Sequence, residues 1–409
     1  MDLEFRSVES LHDRDDLERQ AEWRERSLQR IKARRKWRLE QLSKEQAAIQ
    51  RAVNAYSILD RGDVPGIVLR RRFIRLGAAR QTILASESQV EEPQELSPPA
   101  QVRERRREID TRPPLTRLVH RQSNALSLYL TAIYVAHLEA KPGRAFNNRR
   151  HNTMTKEDGG RPWSLLAGLS APRDIRSRRA RMRRALDELV AAGLVNIRPP
   201  GVRYRYEDWL LLKEDGSESG YRVPSERESD AIQLPATFFL KGWHLVLTPG
   251  EIAMLLAIMD MARSVGRLSE PDTQQWVALP QSIRRDLYGL TGEIYLHAQQ
   301  LREFGLVSFH DPMPARRRGK ISTRRMPPPP PADDNTAGGE QKEHTPPSPV
   351  PYLFSAPDPA IFDQDAFTVV QTTLSALPIP YRLDDSADLI SPQDLVKSYL
   401  QAKQSHRSR

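Results

Sequence analysis

The chain has 409 residues, room for two or three domains, and 63 lysines and arginines against 53 acids, a net charge of +10 that favours polyanionic partners. Cysteine is absent, which excludes disulfides and cysteine-ligated zinc and fits a reducing cytoplasm. The most apolar run, Ala125 to Ala140, is broken by Ser127, Thr131 and His137 and is too short for a bilayer, and Asp2, Glu4 and Glu9 leave no apolar signal segment, so no membrane role is expected.

Residues from about Leu11 to Leu59 alternate basic and acidic side chains without proline, which predicts one or two long helices, an exposed charged arm. Leu42, Ile49, Val53 and Tyr56 approximate a heptad seam interrupted by Gln46, too short for more than a weak coiled coil. Arg30, Lys32, Arg34, Arg35, Lys36 and Arg38 precede it in the order of a basic-zipper protein, which Trp37 and the short seam argue against. Arg70 to Arg72 and Arg103 to Arg107 are further basic patches, able to touch phosphate or merely to solubilise, around an acidic linker from Ser86 to Pro99.

Ser123 or Asn124 is placed to cap a buried helix running to Ala140. Lys141 to Arg161 reads as a long polar, disordered loop. Trp163, Leu165, Leu166 and Leu169 supply a small second helix, Gly168-Leu169-Ser170 a turn, and the next helix is dense in arginine. On a helical wheel Leu186, Leu189 and Ile175 fall within about 40° of Met182, flanked by Ala185 and Val190, the apolar stripe of a packed helix. Arg178 and Arg179 lie on or beside that stripe, so the N-terminal half must overhang the core or bury unpaired charge. Arg173, Arg176, Arg178, Arg179, Arg181, Arg183 and Arg184 crowd that overhang, and Asp174 is the only acid between Ala171 and Leu186. A solvated helix face normally mixes signs, so the run points to nucleic acid.

A hairpin should follow around Pro199-Pro200-Gly201, carrying Arg198, Arg203 and Arg205 with Tyr204 and Tyr206 alternating in a strand. Trp209 to Leu212 returns to the core, and Lys213 to Asp230 reads as a polar linker. Helix, turn, arginine helix and hairpin, with Ala185 to Val195 ending the helix at Gly193, resemble the winged-helix DNA-binding superfamily. The resemblance implies that the arginine helix enters the major groove, where the planar guanidinium fork bonds guanine or grips phosphate, while the hairpin lies along the backbone or minor groove.

The same plan recurs. Thr248-Pro249-Gly250-Glu251 is a capping box, followed by Ile252, Leu255, Leu256 and Met259 at helical spacing. Trp276 to Leu279 reads as a strand, Pro280 to Tyr288 as a second helix, and Thr291 as the cap of a third with Ile294, Ala298, Leu301 and Phe304 inward. Gly168 to Gly193 spans 25 residues and Gly289 to Gly305 spans 16, so the first copy holds nine more, about two and a half helical turns. The second copy's outward face offers Tyr295, Gln299 and Arg302, and its wing Arg316, Arg317, Arg318, Lys320, Arg324 and Arg325.

The expected fold class is mainly α with small β wings, two tandem winged-helix domains with a long N-terminal helical arm and C-terminal amphipathic helices. The expected divisions are 1–111 arm and linker, 112–215 and 232–325 winged helices, 326–350 a disordered proline-rich linker, and 351–409 a helical segment. In that last segment Asp358-Pro359 and Ser391-Pro392 open two amphipathic helices that must dock on the body or on a protein partner. No catalytic, metal-ligating or cofactor-binding constellation is evident, so no enzyme is expected. The expected function is site-specific binding of double-stranded DNA in the cytoplasm, at the nucleoid, as a transcriptional regulator, with a homodimer possible. The alternatives are a replication initiator of a plasmid or mobile element, which similarly sets two unequal winged helices in tandem, and an interaction adaptor.

Overall fold

A computed structural model describes residues 3–77, 112–119, 124–153, 161–169, 174–225, 228, 230–266, 276–280, 283–310 and 352–376. These residues are mainly helical with small antiparallel sheets. Several sequence expectations lie outside them: Arg173, the patch 103–107, the acidic linker 86–99, the basic wing with Arg316, Arg317, Arg318 and Lys320, the proline-rich stretch 326–350 and the helix at Ser391.

Helix α1, Leu3–Leu59, is continuous because neither proline nor glycine occurs in it; at 1.5 Å per residue it is about 85 Å long. It stops where Asp60 accepts a hydrogen bond from the backbone of Gly62, whose φ of 84° suits glycine. The exposed arm anticipated from the sequence does not extend past Arg34. From Arg35 onward one face is buried through Arg38, Leu42, Ile49, Ala52 and Tyr56, a spacing of three to four residues or multiples of it. The heptad seam is therefore occupied by the chain's own core rather than by a second helix, and Gly242 approaches Val53 so closely that an added Cβ would meet its Cγ2 at 3.0 Å.

The basic patches change character in the same way. Strand β1, Gly66–Arg70, pairs antiparallel with β4, Ala231–Pro235, and runs into the short α2, Arg71–Ile74. Arg70 bonds the buried Glu214 at 2.6 Å and also Glu228, while Arg71 binds Asp260, which accepts from Tyr288 at 2.7 Å. Arg70 and Arg71 thus serve internal carboxylates, not phosphate.

Next come α3, Pro114–Val119, and α4, Ala125–Glu139, buried along almost its entire length as expected, although Asn124 makes no side-chain cap. Residues 141–153 are not loose: Asn148 accepts from the Trp163 indole at 2.9 Å, and Asn152 from that of Trp209 at 3.0 Å. Two buried indole donors need acceptors, and these asparagines supply them. Helix α5, Trp163–Leu166, leads to α6, Ile175–Ala191, and a hairpin of β2, Val195–Asn196, with β3, Leu210–Leu211. The hairpin strands are shorter than expected, so Tyr204 and Tyr206 lie in the connecting loop. The predicted linker after Lys213 also packs: Glu214, Tyr221 and Val223 are buried, and Ala145 bridges Arg222.

Beyond β4 lie α7, Thr237–Leu240, α8, Trp243–Val246, and α9, Pro249–Gly266. Its capping box forms as read, with Thr248 N–H donating to Glu251 at 2.8 Å and Glu251 N–H to Thr248 Oγ1 at 3.3 Å. Strand β5, Val277–Ala278, precedes a π-helical turn at Ile283–Leu287, then α10, Gly292–Tyr295, and α11, His297–Glu303. Thr291 occupies the cap position without a side-chain bond, and the expected third helix is broken at Leu296. Strand β6, Ser308–His310, pairs with β7, Leu353–Ser355, which lies between β5 and β6. The segment assigned to a separate C-terminal unit therefore supplies the middle strand of this sheet, because Phe354 at its centre is fully buried. A 3-10 turn at Pro359–Asp363 and α12, Ala366–Ser375, follow, packed on α1 and α8 through Ala366, Val370 and Leu374. One apolar cluster joins residues of α1, α5, α6, α10, α11 and α12.

Polar groups inside this core carry a pH dependence. His137 Nδ1 lies 2.9 Å from the Ile133 carbonyl and Nε2 accepts from Val68 N–H at 3.2 Å, which requires a neutral ring. Burial, aided by the Arg70 charge, pushes its pKa down to about 4, and burial pushes His244 down to about 3. An unfolded histidine titrates near pH 6.5, so this contribution is complete above that value. It is lost as pH falls toward the folded pKa, by about 1.4 kcal/mol per unit for each ring. Buried Glu214 and half-buried Glu303, both pushed up by desolvation, act in the opposite sense. Comparing urea midpoints of wild type and His137→Gln between pH 7 and 5 cancels them, and the variant is expected to lose less stability on acidification.

Candidate nucleic-acid interface

Asp174 caps α6, accepting from the backbone N–H of Arg176 at 3.0 Å and Ser177 at 3.1 Å, which holds its carboxyl below the usual range. The cap occupies the Arg176 and Ser177 donors that could otherwise take a phosphate, so an anion bound here would rely chiefly on side chains. Met182, Ala185, Leu186 and Leu189 are buried, and no residue from Ile175 to Arg181 is. The inward stripe is accordingly shorter than its wheel implied: among the described residues Ile175 and Val190 are exposed.

Arg176, Arg179, Arg181, Arg183 and Arg184 are exposed and Arg178 is half-buried. Among the described residues the one carboxylate within ion-pair reach of this set is Glu45 of α1, 3.6 Å from Arg181 with both side chains open to water. Such an exposed pair contributes little and exchanges readily. Six arginines against Asp187 and Glu188 leave the helix strongly cationic on its outer side.

The loop between β2 and β3 is fastened to this helix. Tyr206 donates to Asp187 at 3.1 Å, and its ring lies between the guanidinium of Arg183 at 5.5 Å and that of Arg205 at 5.2 Å. Asn152 donates to the Tyr206 carbonyl at 2.6 Å, and Arg198 pairs with Asp208 at 2.8 Å. Arg205 is thereby set beside Arg183 of α6, on the same loop as Arg198 and Arg203. Sequence reading placed the loop arginines but missed this clamp; its only trace was the alternation of tyrosine with arginine at 203–206.

The second segment is built differently. Tyr295 is not free on the surface: Arg284 lies over its ring at 4.2 Å and Phe354 meets it edge-on at 5.7 Å. Gln299 is half-buried and Arg302 is exposed, so of the three residues expected to face outward only Arg302 is fully open. Arg35 and Arg38 of the basic run on α1 are consumed here by Glu303 at 2.5 Å and Glu251 at 2.5 Å.

Yet the two segments turn in the same way. Gly168, Gly193, Gly289 and Gly305 have φ of 68°, 71°, 65° and 75°. Leu194 N–H bonds the Leu189 carbonyl at 2.9 Å, and Leu306 N–H the Leu301 carbonyl at 2.8 Å, the same glycine-stop geometry twice.

Among the described residues no group of three or more histidine, aspartate or glutamate side chains is placed to hold a metal ion, and no helix is long and apolar enough to cross a membrane. Comparison with protein-family models, with curated proteins and with solved structures finds no match in any of the three.

Proposed function

We propose that the chain is a site-specific binder of double-stranded DNA, most simply a transcriptional regulator, built on two tandem winged helices of unequal chemistry. The fold reading is supported by the recurrence of helix, turn, helix and hairpin with left-handed glycines at matching points and matching hydrogen bonds. A three-stranded sheet with the last strand in the middle agrees with it. The observation that carries the function is the overhang of α6, where Arg176, Arg178, Arg179 and Arg181 precede the first buried residue, Met182, and among the described residues the one ion pair of these four is that of Arg181 with Glu45. No catalytic role is proposed.

In this reading α6 enters the major groove, the loop arginines grip adjacent phosphates, and the second unit, nearly neutral on its outer face, reads a neighbouring site or holds a second copy. A replication initiator of a plasmid or mobile element remains the second reading. The shared core and the common helix α1 favour it, since they fix the two units relative to each other as adjacent sites at an origin require.

Replacing Arg176 with alanine is expected to weaken specific binding by about 1–3 kcal/mol and to relax preference at one base pair. Competition binding against single-base variants of a selected site measures this. Equal losses on every sequence would reduce Arg176 to a phosphate clamp.

A further inference from the structure

The tip of the β2–β3 loop, Pro199 to Tyr204, is exposed at every position, and its chemistry is unusual for a solvated turn. Val202 is 45% exposed and Tyr204 60%. The tip carries no acid. Pro199 and Pro200 restrict its backbone, Gly201 has φ 85°, and Tyr204 itself sits at φ 60°, a left-handed conformation in which tyrosine is costly and asparagine or glycine would be easier. Arg203 lies over the Tyr204 ring at 4.7 Å. Below the tip the loop closes by mutual bonds of Arg198 and Arg205: Arg205 Nε donates to the Arg198 carbonyl at 3.1 Å, and Arg198 N–H to the Arg205 carbonyl at 3.2 Å. Among the described residues no packing explains why an aromatic ring, 60% exposed, is held in a left-handed conformation on this projection.

We propose that this tip is an apolar wedge for the DNA minor groove, in which Tyr204 and Val202 enter a base step and bend the duplex while Arg198, Arg203 and Arg205 hold the flanking phosphates. The inference rests on the DNA-binding reading above and adds a deformation to it. Three observations favour duplex DNA as the occupant. The tip is apolar at its end and cationic around it, which suits a groove walled by phosphates. A wedge must already be rigid to unstack bases, and the two prolines supply rigidity. The Tyr206 clamp ties the tip to α6 through Asp187 and Arg183, so the bend falls at a fixed offset from the bases that α6 reads. A flexible pyrimidine–purine step is then preferred at that offset although no side chain reads its edges.

The test uses the full chain and a duplex of roughly 25 base pairs enriched from a random pool by binding to it, carrying a fluorophore at each end. Energy transfer reports the bend, and a 2-aminopurine at the proposed step reports unstacking. The Tyr204 ring has Arg203 as its described neighbour, alanine adds no strain to the left-handed backbone and asparagine relieves it, so Tyr204→Ala and Tyr204→Asn are expected to fold. Wild type is expected to bend the duplex by about 20–90° and to brighten the 2-aminopurine. Tyr204→Ala should abolish both signals and weaken binding about tenfold while keeping the salt dependence, and Tyr204→Phe should retain them. A straight wild-type complex, or a bend unchanged in Tyr204→Ala, overturns the wedge and leaves DNA binding standing. Failure of the wild-type chain to retain any duplex overturns both.

Discussion

Arg38→Ala is expected to destabilise the protein by about 3–5 kcal/mol, a large part of the roughly 5–15 kcal/mol that holds a domain folded. Arg38 meets Glu251 with two parallel bonds, 2.5 Å to Oε1 and 2.7 Å to Oε2, donates to the Val246 carbonyl at 3.3 Å, and stacks over Phe304 at 5.1 Å. Glu251 is fully buried and also accepts from Thr248 N–H, so removing the guanidinium strands a carboxylate at the start of α9. Urea unfolding measures the loss. Arg38→Lys is expected to recover little, since an ammonium cannot make the paired bonds. A loss under about 1 kcal/mol would mean that α1 does not rely on this contact.

The second large effect concerns binding and leaves the fold alone. Replacing Arg176, Arg179 and Arg184 together with alanine is expected to reduce DNA affinity roughly 100- to 1000-fold and to lower the salt slope by about 3, because each lost contact stops releasing a counterion. All three are exposed, and none has a described carboxylate within ion-pair reach. Alanine is also the better helix former, so the unfolding midpoint should stay within about 0.5 kcal/mol of wild type. Loss of binding with loss of folding would instead mark these arginines as structural.

Local signals read correctly from the sequence were those in which neighbouring residues decide the conformation. The capping box at Thr248, the glycine stops at Gly193 and Gly305, the inward faces of α4 and α11, and the C-terminal half of that of α6 depend on propensity and periodicity, and they stand as read. What could not be read depended on partners distant in the chain. Arg38 looked like part of a basic tract because Glu251 lies 213 positions away. Arg70 and Arg71 looked like surface charge because Glu214 and Asp260 lie 144 and 189 positions away. Strand β7 looked like a preface to a terminal helix because its pairing strands, β5 and β6, precede a long intervening segment.

The same contrast bears on the interface. An arginine followed far along the chain by a buried acid became an internal pair on α1 and α2. Among the described residues, the ion pair of the α6 arginines is with an exposed glutamate, Glu45. Composition alone made no distinction between these groups; burial of the carboxylate did. Tyr206 shows the remaining gap, since nothing in its spacing announced that it would meet Asp187 nineteen residues earlier.

The most direct measurement is the equilibrium affinity of the whole chain for duplex DNA across a salt series. If a phosphate backbone seats against the bare face of α6, the logarithm of the association constant falls linearly with the logarithm of salt, with a slope of about −4 or steeper. A flat response, or no retention of duplex at low salt, would contradict the account at its root.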